Sequence, residues 1–319
     1  MTNTIKELMS ITGVSGRESA VCKHIKAQIA PYVDEISVDA MGNLIARKKG
    51  QGKKIMLCAH MDEIGFFATS VNDDGTVNIA PVGGINYIHA SYSEVVSENG
   101  VFGVILGADK DVPKCEDLHV NIGAKTKAQA LKRVKPGDSF AFAHTMKRLS
   151  GTRYIGRPFD DRIGCAILVE ALKEIKEAKN DLYFVFSVQE EVGGRGAKTA
   201  SYTISPDIGI ALDVTMAGPK GPCTLGKGCA IKIKDSGAIS DINLVRKMQE
   251  IAKNNGVKYQ DEILLMGGTD ASAMQVTGAG ASVGAISIPT ENIHTSAELI
   301  DLNDVKEAIK LCALLCNEL

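Results

Sequence analysis

Four short apolar runs constrain this chain more than any other feature. They occupy residues 54–60 (KIMLCAH), 182–189 (LYFVFSVQ), 208–214 (IGIALDV) and 281–288 (ASVGAISI). Each is too short for a typical buried helix and carries apolar residues at consecutive positions. Both faces of such a strand must be covered, which is the habit of parallel sheets. Helical stripes lie between the runs. Residues 162–179 place Ile163, Ile167, Leu168, Ala171, Leu172 and Ile175 on one face, and 242–255 and 301–315 behave similarly. Asp301 or Asn303 would serve as N-cap of the last helix. The alternation predicts an α/β fold: a central, mostly parallel sheet sandwiched by helices.

Residues 69–150 break that pattern. Turn signals recur at 72–75, 83–84, 99–100 and 136–138, and helical periodicity is confined to 125–132. The stretch reads as a small β-rich domain inserted into the α/β domain. The larger domain is then discontinuous, made of residues 1–68 and 151–319. A length of 319 residues suits two units, and 45 % apolar content suffices for a substantial core.

Lys+Arg total 36 against 38 Asp+Glu, a net charge of -2. That balance gives no electrostatic reason to expect nucleic acid or a membrane surface as partner. No run is long enough to span a bilayer, and MTNTIKELMS lacks the layout of a signal peptide, so a cytoplasmic location is expected. The eight cysteines are scattered without a CxxC pair, several within apolar runs such as Cys58 and Cys165. They are expected to be buried thiols. Cys312 and Cys316 share a helix face.

Five clusters carry the chemistry: His60-Met61-Asp62, Asp160-Asp161-Arg162, Gln189-Glu190-Glu191, Asp213 and His294. At least four fall at or just past the C-terminal end of a predicted strand, the edge where open α/β sheets build their ligand sites. His, Asp and Glu form the donor set for zinc or a similar divalent ion. Two histidines and three carboxylates suit two ions sharing one bridging carboxylate. Singly, each residue has an ordinary explanation. Asp160-Asp161 would cap the following helix, Glu190-Glu191 would sit in a solvated turn, and Asp213 would cap a loop. Those explanations do not account for five such residues along one sheet edge. GGRG (193–196) lacks the spacing and trailing Lys-Ser/Thr of a P-loop, and Ser15 is not in a GxSxG elbow. His24 is expected on a solvated face, and His89, His119 and His144 are expected to be structural.

The ordered set GVSGRE (13–18), HMDEIGF (60–66), DDRIG (160–164), QEEVGGRGA (189–197), ALDVT (211–215), GGTDAS (267–272) and IHTSAE (293–298) resembles the tetrahedral (TET) and glutamyl aminopeptidases, a family of two-metal exopeptidases. The likeness covers nearly the whole chain. It implies one metal held by His60, Asp160 and Asp213, and a second held by Asp160, Glu191 and His294. Asp160 would bridge them, with a cis peptide to Asp161. Glu190 would be the general base, Asp62 would orient His60, and Gly268, Thr269 and Asp270 would line the substrate site. The resemblance further implies two divalent ions per subunit (Zn2+ or Co2+, with Mn2+ as a third candidate), short peptides as substrates, and a PDZ-like or β-barrel insertion that builds dimers into a dodecamer.

Three positions depart from the family pattern. Glu291 stands where many members have an Arg, Cys229 where Pro is common, and Asn121 where Asp is frequent. Glu291 reverses a charge near the site, so substrate preference cannot be carried over. A deacylase of the same two-metal fold and a non-catalytic metal-stabilised scaffold are the rival readings.

Overall fold

The computed structural model describes residues 1–107, 113–219 and 221–319. Its main feature is an 11-stranded sheet. At its centre lie Asp181–Ser187, Lys54–His60, Ile208–Met216 and Ser282–Glu291, in that order and mutually parallel. These correspond to the four apolar runs.

Side-chain alternation along these strands divides two cores. Leu57, Phe184, Leu212 and Ile286 face one side, while Met56, Val185, Ala211 and Ala285 face the other. The first side is covered by Arg162–Glu174 and Leu302–Glu318, with Thr2–Met9, Ser19–Ile29 and Ile242–Asn254. The second is covered by Arg195–Ile204 and Asp270–Val276, whose contacts are mostly Ala and Met. Two-sided coverage explains why the runs are apolar throughout.

Outside this centre the sheet departs from the mostly parallel expectation. Leu44–Lys48 lies antiparallel to Asp181–Ser187, and Glu35–Val38 extends it as a hairpin. On the other flank, Glu298–Asp301, Arg153–Arg157 and Thr145–Ser150 are added antiparallel in turn. Cys229–Lys234 is antiparallel to Ser282–Glu291 and parallel to Tyr259–Ile263. The sheet is therefore mixed. The reason is local: Glu35–Val38 and Leu44–Lys48 are joined by a short turn, which permits only antiparallel pairing.

Asp301 is the N-cap of the last helix, with its Oδ1 accepting from Asn303 N at 2.9 Å. The helix expected over 162–179 stops at Glu174, because Ile175 takes an extended conformation, and only polar and Ala residues follow until Leu182. All eight cysteines are free, and all but Cys115 are buried.

The β-rich segment forms a closed six-stranded barrel from Gly65–Val71 to Ser139–Phe142, which pair with each other to complete it. Phe66, Val95, Ile105, Val120, Phe140 and Phe142 fill its interior. Barrel pairing starts four residues before the expected boundary at 69, since the apolar run IGFFA enters it directly. Thr145–Ser150 belongs to the large sheet instead. Among the described residues, no helix is long and apolar enough to cross a membrane.

Candidate active site

Four chain segments deliver acids and imidazoles to the C-terminal edge of the parallel centre. His60 ends its strand, Asp213 lies in Ile208–Met216, Glu190 and Glu191 follow Asp181–Ser187, and His294 follows Ser282–Glu291. Asp160 arrives from the flank, between Arg153–Arg157 and Arg162–Glu174. All six line one cavity of about 590 Å³.

The two aspartates at 160–161 divide their roles across a cis peptide bond. Asp161 turns away as N-cap of Arg162–Glu174, accepting from Gly164 N at 3.0 Å and from His60 N at 3.2 Å. Asp160 faces the cavity. Its Oδ1 lies 3.2 Å from His60 Nε2, and its Oδ2 lies 3.2 Å from His294 Nε2. Asp213 Oδ1 is 3.9 Å from His60 Nε2, and Glu191 Oε2 is 3.1 Å from His294 Nε2.

Both imidazoles are oriented through their other nitrogen. His60 Nδ1 bonds the carbonyl of Asp62 at 3.1 Å and lies 3.5 Å from its carboxylate. His294 Nδ1 bonds the carbonyl of Gly84 at 2.8 Å, a contact made by the barrel. An Nδ1–H donating to a carbonyl leaves Nε2 with its lone pair free, as metal ligation requires. His294 and Asn292 both have positive φ, at 62° and 58°. The turn is held in that strained region while it aims the ring inward.

Asp62 joins these parts. It is fully buried, accepts from Ser15 Oγ at 2.6 Å, and accepts from the backbone N–H groups of Glu190 at 3.0 Å and Glu191 at 3.2 Å. Glu18 Oε1 accepts from Gln189 N at 3.1 Å on the same loop. Gly193, at φ 111°, lets the chain fold back so that its N–H reaches Glu190 O. Among the described residues, the Glu190 carboxylate has no hydrogen-bond partner and stays free within the cavity.

The electrostatics are those of crowded acids. Burial opposes the His60 charge, but hydrogen bonds to Asp160 and Asp62 outweigh it and hold its pKa well above the usual imidazole value. Burial likewise opposes the His294 charge; Asp160 and Glu191 push its pKa up to about 11. Burial raises Asp160, yet His294 and His60 hold it well below the usual carboxylate range. Glu190 and Asp213 are pushed well up, by burial first and then by neighbouring carboxylates.

So many buried acids around two histidines are costly to ionise without a cation. Donor atoms of His60, Asp160 and Glu191 lie within 4.8 Å of one another, as do those of His60, Asp161 and Asp213. Asp161 is already committed as a helix cap, so Asp160 suits the second group better. Glu191 Oε1 is buried without a partner. These observations fit a divalent metal centre.

Of the residues expected to line a substrate site, Gly268 lines the cavity. Thr269 caps Asp270–Val276, and Asp270 is buried behind His60, where its Oδ2 accepts from Ser187 Oγ and from Cys58 Sγ at 3.1 Å. His89, expected to be structural, lines the cavity from the barrel. Ser15, Glu18 and Gly84 were not singled out as site-supporting residues. Ser15 and Glu18 belong to the GVSGRE motif, but their partners, like that of Gly84, lie far away in sequence, so the motif alone does not reveal what they hold.

A family model described as M42 glutamyl aminopeptidase matches residues 42–311. A putative aminopeptidase of Acetivibrio thermocellus is 42% identical, with 98% of this chain and 97% of the relative covered. The fold matches an aminopeptidase from the archaeon Desulfurococcus kamchatkensis with TM-score 0.96 at 34% identity, covering 99% of this chain and 94% of the other. It also matches the Pyrococcus horikoshii TET1 peptidase, described as assembling into a tetrahedron or a large octahedral shell, with TM-score 0.92 at 35% identity, covering 100% of this chain and 99% of the other.

Proposed function

The chain belongs to the M42 glutamyl aminopeptidase family, and from that premise we propose a two-metal aminopeptidase that releases N-terminal residues from short peptides. The observation that carries this reading is the position of Asp160, with one carboxylate oxygen toward each of two imidazole Nε2 atoms.

His60, Asp160 and Asp213 would hold one ion, and Asp160, Glu191 and His294 the other. Zn2+ or Co2+ suits the mixed N/O donors, with Mn2+ as a third candidate. Such a pair supplies Lewis acidity toward a scissile carbonyl and lowers the pKa of water. The protein supplies the rest. Glu190 takes a proton from the attacking water on its free carboxylate and passes it to the leaving amine. Its backbone bond to Asp62 fixes where that carboxylate stands relative to His60. Gly268 leaves room for the substrate backbone, while Thr269 and Asp270 hold the segment carrying it.

A free-amine peptide and its N-acetylated counterpart separate this reading from a deacylase of the same fold. With metal added, only the free peptide should be cleaved. Cleavage of the acetylated peptide at a similar rate would reject the aminopeptidase assignment.

The chain is further proposed to form a homo-oligomer, a dodecamer built from dimers, with the barrel contributing the dimer contact. Support comes from the shell assembly of the Pyrococcus horikoshii relative and from Ile88, Tyr92 and Phe102, which are exposed on the barrel segment.

A further inference from the structure

The cavity is lined by two chemically different groups of side chains. The acids and His294 cluster around His60. An uncharged wall comes from the end of Ile208–Met216, from the segment after Tyr259–Ile263 and from the end of Ser282–Glu291 and the turn beyond it. Its side chains are Thr215, Met216, Leu264, Met266, Thr290 and Ile293. None of these carries a charge. The remaining titratable residue among the described lining is His89, exposed on the barrel side of the mouth.

One buried cation beside this wall, Lys232, is unavailable to a ligand. Lys232 lies behind Thr215 and is 2% exposed, with its Nζ 2.6 Å from Glu262 Oε1 and 3.7 Å from Asp235 Oδ2. Thr215 Oγ1 donates to the same Glu262 oxygen at 2.6 Å, so the hydroxyl is also taken. Glu291 adds negative charge nearby. Its carboxylate packs against Gly218, with Oε1 3.2 Å from where a Cβ on that glycine would stand. It lies outside the cavity lining, so it repels an acidic side chain without offering a lysine ammonium a direct partner.

We infer that this enzyme selects peptides whose first residue is a neutral aliphatic one of Leu or Met size, received by the Met216–Leu264–Met266–Ile293 wall, and discriminates against acidic and basic first residues. The inference rests on the aminopeptidase reading above and specifies its substrate. The physical basis is desolvation. A charged side chain held against this wall loses water and meets no counter-ion among the described residues of the wall, whereas an aliphatic one gains apolar contact. The field of Glu291 adds to the penalty for acidic residues and offsets part of the desolvation cost for basic ones, without the direct contact that would repay it.

The test is a panel of Leu-, Met-, Glu- and Lys-p-nitroanilides with the full-length, metal-reconstituted protein. kcat/KM for Leu and Met should exceed that for Glu and Lys by about 100-fold. Turnover of Glu or Lys within about tenfold of Leu overturns the inference while leaving the aminopeptidase reading intact. Hydrolysis of none of the four rejects that reading, and the inference falls with it. A variant tests the wall itself. Met266 is 68% exposed, so M266K should fold. It should lower kcat/KM for Leu and raise it for Glu, narrowing their ratio by roughly tenfold or more. An unchanged ratio contradicts the assignment of this wall.

Discussion

The backbone N–H of Glu190 donates to Asp62 Oδ1 at 3.0 Å. The same carboxylate faces His60 Nδ1 at 3.5 Å. One buried aspartate therefore sets both the proposed base and a proposed ligand. Asp62→Ala should lower affinity for divalent metal by about 10–100-fold. It should also reduce turnover at saturating metal, because the 190–191 backbone loses its anchor. Chelator-competition titration measures the first effect. Unchanged affinity and kcat would contradict the linkage.

Asp160 stands between both imidazoles, whereas Asp213 approaches only His60. Asp160→Ala should therefore empty both metal positions, and Asp213→Ala should weaken mainly one. Elemental analysis after dialysis should find near zero ions per subunit in the first variant and about one in the second. Two ions retained in Asp160→Ala would remove it from the ligand set.

Glu63 tests the packing behind the site. It is fully buried, with Oε1 3.0 Å from His144 Nε2 and 3.4 Å from Arg162 Nη2. Burial would raise its pKa, but the His144 and Arg162 charges outweigh this and lower it to about 2, against an ordinary value of 4.5. A carboxyl depressed in the fold stabilises above its unfolded pKa and loses that contribution as pH falls toward its folded value. Glu63→Gln should thus cost ~3–5 kcal/mol at pH 7 by leaving Arg162 uncompensated. The deficit should shrink between pH 4.5 and 2. Urea midpoints for both proteins across that range check this; a pH-independent difference would contradict it.

The oligomer proposal makes a claim about mass. Light scattering should give a large multiple of the 33.9 kDa chain. Phe102→Asp, at a side chain 67% exposed on the barrel, should reduce the assembled mass without unfolding the subunit. A monomer in the wild type would reject the proposal.

Much of the architecture was legible because period and burial agree. The runs containing Leu57, Phe184, Leu212 and Ile286 needed cover on both faces, and only a layered α/β arrangement provides it. The flanking strands were not legible as antiparallel, since a strand such as Glu35–Val38 is largely exposed and carries little apolar signal. Asp160 and Asp161 were readable as a pair. Neighbouring identical residues carry no mark of which one caps the helix and which faces the cavity; only the family resemblance singled out Asp160 as the metal ligand. Ser15, Glu18 and the carbonyl of Gly84 support the site through partners more than 40 residues away. Such contacts exist only once the chain has folded.

The most direct test of the account is metal content and turnover measured together on Glu190→Gln. The free carboxylate at 190 is proposed to move protons and not to hold metal. The variant should bind two divalent ions per subunit, as the wild type is proposed to, and lose at least about 100-fold in kcat on a free-amine peptide. Wild-type turnover in that fully loaded variant would contradict the assignment of Glu190 as the base.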